Sequence, residues 1–216
     1  MFNFDLPSLI ANIPALMIGF AFHEFAHAWV ADYLGDPTPR SQGRLTLNPI
    51  VHLDVFGTLM ALLYRFGWAK PVQINPHYFR GDPVRGRMFV SLAGPVMNLV
   101  IAFLSTILWG FTVQFLQGST WLPVVSQIFS AIVLMNLGLG IFNLIPIPPL
   151  DGFAVLGGLL PRQLARKLDV LEQYGMIILV IVLFTNVLGT ILYPIVKAIF
   201  YLYQTITYRI LALFFG

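Results

Sequence analysis

The sequence predicts an all-α polytopic membrane protein of about five to six transmembrane helices, with a re-entrant, partly extended, β-hairpin-like segment between the first two spans. Three observations lead there. Hydrophobic residues fill 58% of the 216 positions and charged ones only 10%, against about 25% charged in an ordinary soluble domain. Five apolar runs reach the roughly 20 residues that a helix rising about 1.5 Å per residue needs to cross a bilayer. A sixth run, too short to cross, is bracketed by Asn-, Pro- and Gly-rich sequence.

The first run covers about residues 9 to 31. What precedes it lacks the basic stretch of a signal peptide, and the run holds His and Glu rather than a small-residue cleavage site, so this helix is expected to be retained. The sixth, short run, Val55 to Phe66, reads as re-entrant or interfacial. Its flanks, "GRLTLNPIVHLD" and "GWAKPVQINPHYF", favour extended chain and turns. Non-helical backbone at membrane depth must border protein or a water-filled cavity. Runs at about 88 to 116 and 122 to 144 follow, joined by "QGST". The last two, about 173 to 192 and 194 to 215, are parted by "GTILYP", where Tyr193 and Pro194 predict a turn. The whole chain, 1–216, reads as a single integral-membrane unit.

Orientation follows from the basic residues. Arg40, Arg44, Arg65, Lys70, Arg80, Arg85 and Arg87 lie between the first two long spans, and Arg162, Arg166 and Lys167 between the third and fourth. Positive loops face the cytoplasm, which predicts an outside N-terminus and an inside C-terminus. The net charge of +3 forms no basic stripe, so nucleic acid is not an expected partner. Cysteine is absent, so a metal would need His, Asp or Glu.

The first run ends in "GFAFHEFAHAWVADYL". His23 and His27 are spaced i and i+4, one above the other on a helix face, and can share one tetrahedral zinc ion. Glu24 is placed to act as general base toward water without ligating the metal. The motif centre lies about 9 residues, roughly 14 Å, from the helix end near Leu34, inside the bilayer on the cytoplasmic side. Intramembrane His can also serve packing or proton relay, and Glu24 could pair with a cation in the bundle.

Catalytic zinc takes three protein ligands, so one more must come from elsewhere. Asp32, Asp36, Asp82, Asp169 and Glu172 lie in loops or at helix ends, as solvated charges do. Asp151 stands instead in "FNLIPIPPLDGFAVLGG", at the cytoplasmic end of the third span. Pro146, Pro148 and Pro149 break the helix before it and Gly152 permits a turn after it, so its carboxylate can be aimed from irregular chain. The alternative is an N-cap for the helix that follows.

These motifs resemble the site-2 protease family of intramembrane zinc metalloproteases. His23-Glu24-Phe25-Ala26-His27 matches the family's first motif, and Leu150-Asp151-Gly152 its Leu-Asp-Gly motif, whose Asp is the third zinc ligand. "SLAGPVMNL", with Gly94, Pro95 and Asn98, matches a third. Together they cover a catalytic core of about residues 9–160, leaving a C-terminal helical pair at about 173–215. "GRLTLNPIVHLDVFGT" and "GWAKPVQINP" resemble the compact branch, with Val55 where that branch has proline. The chain has no room for PDZ or CBS domains, so no nucleotide-binding domain is expected.

The resemblance implies one zinc per chain on His23, His27 and Asp151, with Glu24 as base, and a transmembrane protein substrate in a lipid bilayer. Asn143 resembles the Asn that steadies the substrate strand in relatives. Asn98 could contribute an oxyanion contact, line the cavity or make a helix–helix hydrogen bond. His52 could be an accessory metal ligand, a shuttle or structural. The expected function is cleavage of peptide bonds in or near transmembrane segments, as in regulated intramembrane proteolysis. Lacking a transit peptide, the chain is assigned to a prokaryotic plasma membrane. Two alternatives are a CAAX-type membrane zinc protease, which would need a second Glu motif, and an ion or proton transporter with a His/Glu relay.

Overall fold

A computed structural model describes residues 6–64, 67–185 and 187–215. Arg65 and Phe66, counted above in a basic loop and in the short apolar run, lie outside the described residues. Among the latter, helix dominates, and the sole β pairing is an isolated antiparallel bridge between Leu53 and Ala69.

Among the described residues four helices are long and apolar enough to cross a membrane: α1 (Leu6–Tyr33), counted from Ala11, α5 (Pro83–Phe115), α6 (Leu122–Asn143) and α10 (Val187–Phe215). The helical membrane class therefore holds, with four such helices where five to six spans are predicted. The difference lies at the C-terminal end. A break after Phe184 divides the predicted fourth run, whose helix α9 (Gly175–Phe184) is 10 residues long, about 15 Å and half a bilayer. Pro194 falls inside α10 rather than at a turn. Its missing N–H is tolerated in a long membrane helix, where the neighbouring helices support the backbone.

Local sequence sets the other ends. Asp82 caps α5, its carboxylate accepting the N–H groups of Val84 and Arg85, and Pro83 opens the helix where no donor is needed. At the far end of α1, Gly35 takes φ +108°, a conformation open to glycine, and the chain turns into the short α2 (Thr38–Ser41). Between the first two long helices follow α3 (Pro49–His52), α4 (Val55–Tyr64) and a single 3-10 turn (Pro76–Tyr78). The short apolar run is thus a ten-residue helix, packed through Ala61 on Leu16 and Phe20 of α1. Its two flanks meet at the Leu53–Ala69 bridge and at the neighbouring bond from the Lys70 N–H to the His52 carbonyl, 2.8 Å.

Helices α1 and α5 run antiparallel, since Gly19 bonds Asn98 while His27, further along α1, bonds Val90, earlier in α5. Helix α6 completes the trio, with Val133 and Leu137 buried against Ala102. On the outside of this trio α10 runs parallel to α5. Tyr203 donates to the Leu99 carbonyl, and the rings of Phe214 and Phe215 pack on Phe111 and Phe115, with centroids 5.6 to 5.9 Å apart. The C-terminal end of α10 therefore lies beside the end of α5 furthest from Arg85 and Arg87. This corrects the expected C-terminus, which was placed on the side of the basic loops on a count of five crossings. After α6 the chain turns through three prolines into α7 (Asp151–Leu159) and the amphipathic α8 (Arg162–Glu172). Two ion pairs, Arg162–Asp82 at 2.7 Å and Arg87–Glu172 at 2.8 Å, tie α8 to the first turns of α5.

Candidate metal centre

One turn apart on α1, the imidazoles of His23 and His27 converge until their Nε2 atoms are 2.9 Å apart. Asp151 Oδ2 arrives at 3.2 Å from the first and 3.3 Å from the second. The carboxylate belongs to the first turn of α7, whose N-cap is Leu150, and no side chain caps that helix. Asp151 therefore points at the two imidazoles and not at its own backbone. Gly152 makes the approach possible, because a Cβ there would lie 2.2 Å from the Leu144 carbonyl oxygen.

The hydrogen-bond partners settle which nitrogens carry protons. His27 Nδ1 is 2.7 Å from the carbonyl oxygen of Val90, which can only accept, so Nδ1 is the donor. Asn98 Nδ2 donates to the Gly19 carbonyl at 3.0 Å and to Asn136 Oδ1 at 2.9 Å. This turns Asn98 Oδ1 toward His23, whose Nδ1–H donates to it at 2.6 Å. In a neutral imidazole the second nitrogen is then a bare lone pair. Two such lone pairs and a carboxylate oxygen converge on one small volume, an arrangement that repels itself unless a cation lies among them.

Zinc fits this donor set. Two ligands about 2.0–2.1 Å from a tetrahedral ion stand roughly 3.3 Å apart, close to the edges of the observed triangle. Among the described residues these are the three that could hold a metal, with ligand atoms within 4.8 Å of one another. Helix α5 closes the far wall through Gly94, where a Cβ would lie 2.5 Å from His27 Nε2 and 2.6 Å from His23 Cε1. Any larger residue would press on both imidazoles.

Glu24, on the same helix, is 7% exposed, as is His23. Its Oε2 accepts the Val72 N–H at 2.9 Å and stands 3.8 Å from Arg44 Nη2. The pairing of Glu24 with a cation is thus present beside its position next to the ligands. Asp151 is the more open side of the cluster, its side chain 18% exposed. It lines a cavity of about 260 Å³ with Ser91, Pro148, Pro149 and Arg87. Through Arg87, Phe153 and Glu172 this space adjoins a larger one of about 490 Å³ under α8.

The remaining sequence candidates are bonded within the protein. Asn98 is fully buried and both its polar atoms bond protein, so it orients His23 instead of facing a substrate. Asn143 donates to the Leu139 carbonyl of its own helix at 3.0 Å and is partly exposed. His52 is fully buried, with Nε2–H donating to the Thr46 carbonyl at 2.7 Å, and does not join the ligand cluster. Burial holds its imidazole below its ordinary pKa. Sequence reasoning left Asn136 and the Val90 carbonyl unremarked, although "VLMNLGLG" places an amide inside an apolar span, a costly position without a partner. It also counted Arg44 as a loop charge, whereas this side chain is buried.

The family model described as Peptidase family M50 matches residues 110–185, a stretch containing Asp151. Relatives bearing the description "Putative zinc metalloprotease" include YwhC of Bacillus subtilis, 43% identical over 85% of this chain and 84% of the relative. Another is Rip2 of Mycolicibacterium smegmatis, 32% identical over 83% of this chain and 69% of the relative. No solved structure matches the chain.

Proposed function

Because the chain belongs to peptidase family M50, and is accordingly a zinc metalloprotease, we propose that it cuts peptide bonds in or near the transmembrane segments of membrane-protein substrates. The observation that carries this reading is the converging donor set of His23, His27 and Asp151, enclosed among the apolar helices α1, α5 and α7. A hydrolytic centre so placed meets substrates that share the bilayer. Family membership sets aside the CAAX-type and transporter alternatives.

His23, His27 and Asp151 would hold the zinc, which when bound would supply Lewis acidity toward water and the scissile carbonyl. Asn98 and the Val90 carbonyl keep both imidazoles in the ligating tautomer. Glu24 takes the proton from the attacking water and delivers it to the leaving nitrogen. The cavity beside Asp151 and Ser91 is the route by which water arrives. A helical substrate hides its carbonyls in i to i−4 bonds and must unwind first, and the non-helical chain at 69–75, bridged at Ala69, would offer it a strand edge. The basic residues between α1 and α5 and in α8, with Arg87 lining the same cavity as Asp151, support a site toward the cytoplasm of a prokaryotic plasma membrane, with the N-terminus outside. Regulated intramembrane proteolysis is the corresponding process.

The test reconstitutes the full chain in vesicles with a model single-span substrate and measures zinc content and cleavage together. Glu24→Gln should retain about one zinc and lose cleavage by at least roughly 10²-fold, the usual worth of a general base. Asp151→Ala should lose zinc. Cleavage unchanged by Glu24→Gln, or confined to soluble peptides, would overturn the proposal.

A further inference from the structure

We propose that Arg44 is a positioning residue for Glu24: together with the Val72 N–H it forms a clamp that fixes the carboxylate to the non-helical chain at 69–75. The inference rests on Glu24 being the base, as proposed above.

Arg44 is only 4% exposed, rare for an arginine without a dedicated role. Its guanidinium reaches three separate pieces of chain. Nη1 donates to the Val51 carbonyl at 2.9 Å, Nη2 donates to the Lys70 carbonyl, and Nη2 stands 3.8 Å from Glu24 Oε2. The same Oε2 accepts the Val72 N–H at 2.9 Å. Lys70 is held from its other side, its N–H donating to the His52 carbonyl at 2.8 Å. One planar cation thus bridges α3 and the 69–72 chain, and both contacts to Glu24 fall on a single oxygen. The clamp engages Oε2 and leaves Oε1 out of it, so the carboxylate has one anchored end and one end for proton transfer.

Two features separate this from a merely structural arginine. The Nε donor is buried with no partner among the described residues, which an arginine selected for packing alone would avoid. At 3.8 Å the approach to Glu24 is also too long for a hydrogen bond, so its effect is the pull of a charge on the carboxylate, strong where water is excluded. Lysine could carry the charge but not the fork, since an ammonium cannot hold two carbonyls in one plane while facing the carboxylate. The chain that would receive an unwound substrate strand is thereby the chain that holds the base. Substrate docking at 69–75 and the aim of Glu24 become one event.

The test uses the full-length zinc-loaded protein in vesicles, with Arg44→Lys as the main variant, Arg44→Gln as the second and Glu24→Gln as reference. Arg44→Lys should keep about one zinc and a KM within about threefold of wild type, with kcat down at least roughly tenfold, part of what a general base contributes. Arg44→Gln should lower kcat further. Independently of turnover, amide exchange over 69–75 in the zinc-free protein should speed up in Arg44→Lys and in Glu24→Gln, and the double variant should go no faster than either. Wild-type kcat in Arg44→Lys, or exchange effects that simply multiply in the double variant, would overturn the clamp. If Glu24→Gln itself retains cleavage, the protease reading of the site fails instead. Should Arg44→Gln fail to fold, Arg44→Lys still decides the matter.

Discussion

Single atoms decide what this centre can hold. His23 and His27 were legible from their spacing alone, because a helix places i and i+4 side by side whatever surrounds it. What the spacing could not show is the tautomer, which depends on Asn98 Oδ1 and the Val90 carbonyl, 75 and 63 residues away. Asn98→Ala should therefore weaken zinc binding by about 10- to 100-fold, the usual worth of a group that orients a ligand, while leaving the ligands themselves in place. Gly94→Ala should lower zinc occupancy through a different route, since the added methyl meets both imidazoles. Competition with a fluorescent chelator measures both, and unchanged affinity in either variant would count against the assigned contact. Arg44 shows the opposite limit of legibility. In the sequence it is one of many loop charges, and only the fold reveals that it is buried against Glu24.

At the level of helices, hydropathy located α1, α5 and α6 closely, because a span must be both long and apolar. It located the C-terminal pair poorly. Apolar composition continues through residues 173 to 215, so the chain break had to be guessed from Pro194, and the structure puts it after Phe184 instead. The pairing of helices was not legible at all, since lipid tails are as apolar as leucine and composition does not say which faces meet. Polar groups do say so once they are seen together. The Gly19 carbonyl, Asn98 and Asn136 join α1, α5 and α6 through two bonds of about 3 Å. Asn136→Leu should destabilise the bundle by about 0.6 kcal/mol, and at most about 1.7, by analogy with hydrogen bonds between membrane helices. Unfolding in mixed detergent reads this directly. No change would mean that Asn98 finds another partner.

For the molecule as a whole, the parallel course of α5 and α10 fixes the relative side of the two ends of the chain. α1 starts at the end of the bundle where α5 and α10 finish, so a reporter fused after Gly216 should lie on the same face as one fused before Met1, and opposite to one inserted near Gly81. A C-terminal reporter that shares a side with the Gly81 insertion would contradict the packing of Phe214 and Phe215 on α5. The triangle of ligands has a further meaning for how the protein is made. His27 and Asp151 are 124 positions apart (151 − 27), so an ion held by both would tie an early span to a turn that is synthesised only after α5 and α6. Until Asp151 leaves the ribosome, the first helix carries two imidazoles and a glutamate into the bilayer without their counterpart. A site that needs all three ligands is thus complete only once most of the membrane domain has been synthesised.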